Sequence, residues 1–262
     1  MKKSLTVALA VVLALAASAN AAKKKQSAEP APEASAFKTQ LNASLTLTDG
    51  NSDTLGVNAS LTTEGEKEGL GSILAGIEGN YAESESTATD AEGNVSKSTE
   101  KTVENAKAFF NAKKTLSELT FFGLNAAGEY DDMALLDYRF TVGPTIGFYA
   151  FKTERQDLSF EIGPNYVWEK VDGETDDYLA LRFAERYSVQ LTETAKLAES
   201  VEYLPKADEF DRYLLNAEVS LDVAVNERVS VRLVVKDEYN SEPADGVEEN
   251  DLSVLAGLGV TL

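Results

Sequence analysis

The sequence of 262 residues predicts an all-β fold: a transmembrane antiparallel up-and-down β-barrel of about twelve strands. Three observations lead to this prediction. Polar and apolar residues alternate along about a dozen segments, a secretory leader precedes them, and the chain has no cysteine. Successive side chains of a strand point to opposite faces, so the alternation gives each strand one apolar and one polar face. In a membrane-spanning barrel the apolar faces contact lipid and the polar faces line the lumen.

The N-terminal segment has the pattern of a cleaved leader. Lys2 and Lys3 supply a positive charge, residues 5–17 form an apolar run too short to span a membrane, and Ala19-Asn20-Ala21 offers a small-residue cleavage site. The residues that follow are rich in Lys, Ala and Pro and cannot bury a core. The predicted division is a signal peptide at 1–21, a flexible periplasmic linker at 22–36 and the barrel at 37–262.

The remaining chain carries the predicted strands. No later stretch approaches the roughly 18 apolar residues that a membrane-spanning helix requires, so we expect strands to cross the membrane. In the first strand Leu41, Ala43 and Leu45 alternate with Asn42 and Ser44. Segments of about ten residues can cross the hydrocarbon core when they are tilted. The strands are predicted at 37–48, 54–63, 71–82, 104–113, 119–129, 138–149, 158–168, 178–190, 195–204, 213–224, 229–239 and 251–262.

The connections between these strands alternate in length. Residues 114–118, 191–194 and 224–228 form short connections, whereas 83–103 and 240–250 form long ones. Bacterial barrels have short periplasmic turns and longer extracellular loops. With both termini in the periplasm, an even strand count places the longer connections outside the cell.

Acidic residues are concentrated at the predicted extracellular ends. Six segments contain 24 of the 44 Asp and Glu residues but 5 of the 24 Lys and Arg residues; they are 48–54, 82–103, 129–137, 169–177, 204–212 and 239–251. Aromatic residues follow them and predict a girdle at the membrane interface. These residues are Tyr81, Tyr130, Tyr138, Tyr166, Trp168, Tyr178, Tyr203, Tyr213 and Tyr239.

Several motifs resemble one known family. They are Leu45-Thr-Leu-Thr-Asp-Gly-Asn51, Gly163-Pro-Asn-Tyr-Val167, Ala195-Lys-Leu-Ala-Glu-Ser-Val-Glu-Tyr-Leu-Pro205, Tyr239-Asn-Ser-Glu-Pro243 and Asp251-Leu-Ser-Val. Together they resemble the salt-induced outer-membrane protein family, often called YdiY-like, whose function is unassigned. The resemblance covers about residues 37–262. It implies a barrel in the cell outer membrane, exported through a Sec-type leader, with a link to salt or envelope stress, and it supplies no catalytic residues.

The composition argues against an enzyme. The chain has neither His nor Cys, which excludes Ser-His-acid triads, thiol nucleophiles and ordinary zinc sites. A pair of carboxylates can hydrolyse glycosides, and clusters such as Glu129, Asp131 and Asp132 supply carboxylates. They lie in predicted loops, with nothing to separate the pKa of one carboxylate from that of another. We therefore expect no enzyme activity and no cofactor.

Acidic side chains of two predicted loops could attract divalent cations. Hard cations such as Ca²⁺ and Mg²⁺ prefer several oxygen ligands. Neither loop matches a complete calcium-loop spacing, so we expect diffuse condensation of Ca²⁺ or Mg²⁺ near lipopolysaccharide. The other interpretation is a hydrated rim that discourages aggregation. The candidate residues are Asp172, Glu174, Asp176, Asp177, Asp245, Glu248, Glu249 and Asp251.

Charged residues on the predicted inward faces are the candidates for function in the lumen. Twelve strands enclose more space than a side-chain-filled barrel of eight strands and less than an open porin. Mixed charge permits either a salt-bridged plug or a narrow wet channel, and we expect partial occlusion. The candidates are Lys107, Arg139, Glu161, Arg182, Arg186, Glu202, Glu218, Asp222, Arg232 and Lys236, with Lys196 and Glu238 on the same faces.

Two local features depart from a regular strand. Gly143-Pro144 and Gly163-Pro164 lie inside neighbouring predicted strands, where proline removes a ladder donor. A hairpin centred near residues 153–154 would bring both pairs to the same height, as a shared bend or bulge, and two short interrupted strands are the alternative.

Glu185 falls on the lipid side, so we expect a bulge near Ala184 or a position below the membrane.

The leading functional hypothesis is a narrow passive channel for small solutes or ions, with inward arginines and glutamates setting its selectivity. The alternative is a closed envelope-structural or surface-interaction barrel whose acidic loops bind divalent cations, lipopolysaccharide or a partner. A third possibility is a soluble secreted β-sandwich, which needs a second sheet to cover the apolar faces. The expected partners are outer-membrane lipid, lipopolysaccharide and the barrel-assembly machinery during insertion, with no nucleic acid.

Overall fold

A computed structural model describes residues 37–48, 52–67, 71–89 and 95–262. The predicted signal peptide at 1–21 and the predicted linker at 22–36 lie outside these residues. Within them there is no helix long and apolar enough to cross a membrane. The twelve strands are β1 (Phe37–Thr48), β2 (Ser52–Lys67), β3 (Gly71–Thr89), β4 (Val95–Thr115), β5 (Thr120–Asp131), β6 (Leu136–Lys152), β7 (Gln156–Val171), β8 (Glu174–Gln190), β9 (Ala195–Lys206), β10 (Glu209–Ala224), β11 (Val229–Asn240) and β12 (Asn250–Thr261).

The strands form one closed antiparallel barrel in sequence order, which confirms the predicted fold class. Each strand pairs with its neighbours along the chain, and β1 closes the barrel by pairing with β12, where Leu41 lies opposite Val260 and Ser44 opposite Gly257. Closure satisfies the backbone donors and acceptors that an open sheet leaves at its edges. The alternative of a β-sandwich is therefore wrong, because the described strands belong to a single closed sheet.

Apolar and polar residues occupy the faces that the alternation predicts. Ile77, Ile146 and Phe148 are more than half exposed on the outer face, whereas Asn165 and Arg182 are buried inside. A soluble protein would bury the first set and expose the second. This inverted distribution is the arrangement of a barrel whose outer face contacts lipid.

Several connections at the predicted extracellular end are shorter than expected, because the strands extend into them. The predicted loop at 83–103 is largely strand, since β3 continues to Thr89 and β4 begins at Val95. Between β7 and β8 only Asp172 and Gly173 remain, both with positive φ, as a tight hairpin turn requires. The prediction of long loops is wrong at these two positions; the connection between β11 and β12, residues 241–249, is long as predicted.

The two Gly-Pro pairs lie directly opposite each other. Val142 pairs with Tyr166, and Ile146 pairs with Ile162. The register of β6 against β7 is therefore the same before and after the Gly-Pro pairs, and Pro144 lies opposite Pro164. The shared height is confirmed, but both the bulge and the two short interrupted strands are wrong, because β6 and β7 are continuous and their register shifts lie elsewhere. A Cβ atom on Gly163 would lie 2.0 Å from the carbonyl oxygen of Pro144, so the backbones approach too closely for a larger residue.

Glu185 lies on the outer face of a regular strand. The pairing of Ala184 with Glu202 and of Glu185 with Val201 continues without a shift, so the bulge predicted near Ala184 is wrong. Glu185 lies five residues before the end of β8 at Gln190, toward the four-residue turn 191–194. Its position below the membrane stays a prediction.

Candidate functional site

A row of alternating charge runs across five neighbouring strands on the lumen face. By register, Glu78 lies opposite Lys107, Lys107 opposite Glu129, Glu129 opposite Arg139 and Arg139 opposite Glu169. Arg139 donates to Glu129 at 2.8 Å and to Glu169 at 2.5 Å, and the Lys107 ammonium lies 3.5 Å from Glu129. Opposite charges on directly paired strand residues stabilise the sheet. We call these five residues the charged row.

A second cluster surrounds a deeply buried arginine. The Arg182 side chain is 2% exposed and donates to Glu202 at 2.6 Å and to Glu161 at 3.2 Å. The Lys113 ammonium lies 2.8 Å from the other oxygen of Glu161, and Glu161 accepts from the Thr145 hydroxyl at 3.2 Å. Burial of such charges is tolerated because each has a partner of opposite sign. We call these five residues the Arg182 cluster.

Two ion pairs cross the lumen. Lys236 on β11 lies 2.6 Å from Glu78 on β3, four strands away around the wall, and 3.8 Å from Glu218 on β10. Lys107 on β4 lies 3.7 Å from Glu238 on β11. The Lys236–Glu78 and Lys107–Glu238 pairs, which we call the transverse bridges, join opposite sides of the barrel. The lumen is therefore partly occluded by side chains.

Two further arginines among the predicted lumen residues contact other strands: Arg232 contacts the neighbouring strand β10, and Arg186 on β8 reaches β4, four strands away. Arg232 pairs with Asp222 at 3.5 Å and with Glu218 at 3.7 Å on the neighbouring strand. Arg186 donates to the Asn111 side chain at 3.5 Å. Within the described part of the chain, neither Arg186 nor Lys196 forms an ion pair. All ten candidates that the sequence singles out lie on inward faces, whereas the sequence reasoning did not select Glu78, Lys113, Glu129 and Glu169 for the lumen.

A cavity of about 270 Å³ lies at the mouth that is predicted to be extracellular, beside the transverse bridges. A second cavity, of about 230 Å³, adjoins Arg139 and Glu169. Asn240 and Pro243 line both cavities, so the β11–β12 connection reaches over the mouth between them. This connection is held to β10, because the Ser241 hydroxyl accepts from the Tyr213 backbone N–H at 2.7 Å. We call the larger cavity the vestibule. Its inward-facing lining includes Asn58, Glu78, Asn80, Asn105, Lys107, Glu129, Asn216, Lys236, Glu238 and Ser253.

The acidic residues proposed to attract cations are spread around the mouth. Asp176 lies 3.8 Å from the Lys206 ammonium, and Glu249 accepts from the Tyr239 hydroxyl at 2.7 Å. Asp177 accepts from the Tyr166 hydroxyl. In the described ranges, no three acidic side chains converge into a group that could hold a metal ion. Diffuse cation binding at Asp172, Glu174, Asp176, Asp177, Asp245, Glu248, Glu249 and Asp251 stays a prediction.

Comparison with known proteins identifies a family without an assigned function. A family described as "Protein of unknown function, DUF481" matches residues 41–262. The "Uncharacterized protein YdiY" of Escherichia coli strain K12 is 30% identical over 105 residues, which are 39% of this chain and 40% of that protein. The match thus spans less than half of that relative. Both findings confirm the resemblance predicted from the sequence motifs.

Two solved structures have a similar fold at low sequence identity. A structure titled as the NanC porin aligns with a TM-score of 0.51 and 9% identity over 86% of this chain and 100% of that one. An outer-membrane channel from Pseudomonas putida F1 aligns with a TM-score of 0.48 and 10% identity over 90% of this chain and 100% of that one. At such identity the first similarity shows the fold of an outer-membrane barrel and nothing finer.

Proposed function

The chain belongs to the DUF481 family of proteins of unknown function, and we propose that it is a narrow passive channel of the outer membrane for small solutes or ions. The observation that carries the proposal is the lumen: a closed barrel of twelve strands has an inner face of charged and amide side chains. A chain that needed only a sealed wall could fill its interior with apolar side chains, which cost no desolvation of charge.

The outer surface supports a location in the membrane. Aromatic residues contact each other near the mouth: the ring centroids of Tyr166 and Trp168, both on β7, lie 4.5 Å apart, and those of Tyr203 on β9 and Tyr213 on β10 lie 5.3 Å apart. Tyr213 also stacks on Tyr239 at 5.5 Å. Contiguous aromatic rings at one height are typical of the membrane interface of barrels. The short turns would then face the periplasm.

The transverse bridges would form the constriction of the channel. The side chains of Lys236 and Glu78 are 15% and 18% exposed, and those of Lys107 and Glu238 are 26% and 44% exposed. Ion pairs in contact with water contribute little free energy, typically about 0–1 kcal/mol. Such bridges can separate and re-form as a small solute passes, so they narrow the lumen without sealing it permanently.

Conductance in planar lipid bilayers tests the proposal, with the refolded chain lacking the predicted leader. We expect small current steps proportional to salt concentration, and larger steps in the Glu78→Gln, Lys236→Met double variant because one bridge is lost. Glu185→Gln is the matched control, since it removes a carboxylate from the outer face only. Heat-modifiable gel migration establishes that each protein is folded. Folded barrels that pass no current, with or without the bridge, would falsify the channel.

The alternative is a closed barrel with an envelope-structural role, and the transverse bridges themselves favour it, because they join opposite walls. Under this alternative the acidic mouth would contact divalent cations, lipopolysaccharide or a protein partner. In either case we expect no enzyme activity, and contacts with outer-membrane lipid and the barrel-assembly machinery. Silence of both the wild type and the bridge variant in the conductance experiment is the result that the closed barrel predicts.

A further inference from the structure

A row of amide side chains lines one wall of the vestibule. Asn58 on β2, Asn80 on β3 and Asn105 on β4 lie directly opposite one another, and Asp131 on β5 continues the row. The Asn58 amide donates to Asn80 at 2.5 Å, Asn80 donates to Asn105 at 2.6 Å, and Asn105 donates to Asp131 at 3.2 Å. The three asparagines, which we call the amide row, lie one step toward the mouth from the charged row.

The carboxylate at the end of the row fixes the direction of its hydrogen bonds. One oxygen of Asp131 accepts from the backbone N–H groups of Met133 at 2.9 Å and Ala134 at 3.1 Å, which anchors the side chain. A carboxylate only accepts, so Asn105 must present its NH₂ group to Asp131 and its carbonyl oxygen to Asn80. By the same reasoning, Asn80 presents its NH₂ group to Asn105 and its carbonyl oxygen to Asn58. The orientation therefore follows from chemistry and not from the arbitrary choice of which amide atom is nitrogen.

Each asparagine in the row keeps unused hydrogen-bonding capacity. An asparagine has two N–H donors and a carbonyl oxygen with two lone pairs, and the row occupies one N–H and one lone pair of Asn80 and Asn105. Neighbouring strands lie about 4.8 Å apart, so the spare donors and acceptors recur at that spacing. All three side chains line the vestibule. The wall thus offers donors and acceptors side by side to a solute.

The charges around the row determine which solutes match it. The cations of the lining are each paired: Lys107 with Glu129 and Glu238, Arg139 with Glu129, and Lys236 with Glu78. An anion therefore finds no unpaired cation to bind there. Among the described residues, seven carboxylates line the vestibule against three cations, so the lining repels anions, and it would hold a simple cation at its carboxylates and leave the N–H groups of the amide row unpaired. A hydroxyl group both donates and accepts, so a solute with several hydroxyl groups uses both the N–H groups and the oxygens of the row.

We propose that the vestibule is a binding site for a neutral polyhydroxyl solute of the size of a small sugar, held by the amide row. The volume of about 270 Å³ is close to the lower end of small-molecule pockets, about 300 Å³. This binding site would define the substrate class of the proposed channel. The inference rests on the proposed function only where it says that the bound solute passes through the barrel. Binding itself is measurable whether or not the barrel conducts.

Calorimetric titration of the refolded barrel tests the site, with maltose, glucuronate and putrescine as neutral, anionic and cationic probes. We expect saturable binding of maltose that depends on the amide row, little binding of glucuronate, and for putrescine only a weaker, salt-sensitive attraction to the carboxylates of the lining. Asn80→Ala removes the donor and the acceptor at the centre of the row and should therefore weaken maltose binding roughly tenfold. Asn111→Ala is the matched control, because Asn111 is a lumen asparagine of β4 that does not line the vestibule.

The outcomes separate this site from the proposed channel. Maltose binding that requires Asn80 supports the site, even if the barrel passes no current, in which case only the channel fails. Conductance without maltose binding overturns the site and leaves the channel. Preferred binding of putrescine or glucuronate overturns the polyhydroxyl class. Equal weakening by Asn80→Ala and Asn111→Ala, with both variants folded by gel migration, also overturns the assignment to the amide row.

Discussion

The Arg182 cluster and the transverse bridges both place opposite charges inside the lumen, yet they differ in contact with water. The side chains of Arg182 and Glu161 are 2% and 5% exposed, whereas those of Lys107 and Glu238 are 26% and 44% exposed. A buried charge that loses its partner costs several kcal/mol, but a hydrated one costs little. The comparison leads us to expect that one lumen contains a permanent filling on one side and, as proposed above, a separable constriction across its width.

The largest expected effect comes from breaking the buried pairs. Arg182→Met leaves Glu161 and Glu202 without their shared guanidinium, and we expect a loss of about 3–5 kcal/mol in the free energy of unfolding. Urea unfolding in lipid vesicles measures this loss. Arg186→Met is the matched control, because Arg186 lies on the same face of β8 and, among the residues that the structure describes, donates to Asn111 alone, at 3.5 Å. If the two variants were equally stable, the cluster would not be the permanent filling.

The backbone beside the cluster gives the next largest effect. Gly163 pairs with Arg182 across β7 and β8, and a Cβ atom there would lie 2.0 Å from the Pro144 oxygen. Gly163→Ala must push β6 and β7 apart, so we expect a loss of about 1–3 kcal/mol, as for other overpacked sites. Gly79→Ala is the control, because its Cβ would meet its nearest neighbour at 3.8 Å. Unchanged unfolding of Gly163→Ala would contradict the close approach of the two strands.

A smaller change in stability is expected at the transverse bridges. The Glu78→Gln, Lys236→Met double variant should change the free energy of unfolding by about 1 kcal/mol or less, because it removes both charges together and leaves neither without its partner. Its conductance should nevertheless increase, as proposed above. Unfolding and conductance measured on the same preparation therefore test whether these charges narrow the lumen or support the wall. A loss comparable with that of Arg182→Met would assign them to the wall.

The fold was predictable from the sequence because side-chain alternation is a local property. The apolar faces of the strands follow from residues such as Leu41, Ala43 and Leu45 without knowledge of any neighbour. The polar ends of β3 and β4 have the pattern of a loop, because residues 83–103 have no apolar face. The structure instead pairs residues 83–89 with residues 95–101. Strand pairing of this kind depends on register, which a single sequence does not specify.

The site was predictable only in part. Alternation selected Arg182 and Lys236, but their partners depend on which strands face each other across the barrel. Alternation in β3 also places Glu78 inside, but nothing in the sequence shows that it contacts Lys236, which is 158 positions away in the chain. The amide row was overlooked for the same reason: Asn58, Asn80 and Asn105 come together only through the register of three strands.

The smallest effect is expected outside the lumen, at the exposed ion pair of Lys101 and Asp132, which is the most hydrated pair in this comparison. Asp132, between β5 and β6, lies 2.6 Å from the Lys101 ammonium, and that hydrogen bond lowers the pKa of Asp132 below its ordinary value. A lowered pKa means that the contribution of the pair is present above the ordinary aspartate range and is lost as the pH falls through the lowered pKa. The backbone N–H of Asp132 donates to the backbone carbonyl oxygen of Glu104 at 3.0 Å, so its hydrogen exchange reports on local opening beside the ion pair.

Hydrogen exchange at the Asp132 amide, relative to its intrinsic rate, should accelerate in acid below the ordinary aspartate range. The Asp132→Asn variant should lose this pH dependence, and its global unfolding at neutral pH should be unchanged. A shift of global unfolding in that variant would show that even a fully hydrated pair supports the barrel, and the contrast between buried and hydrated charges would then fail.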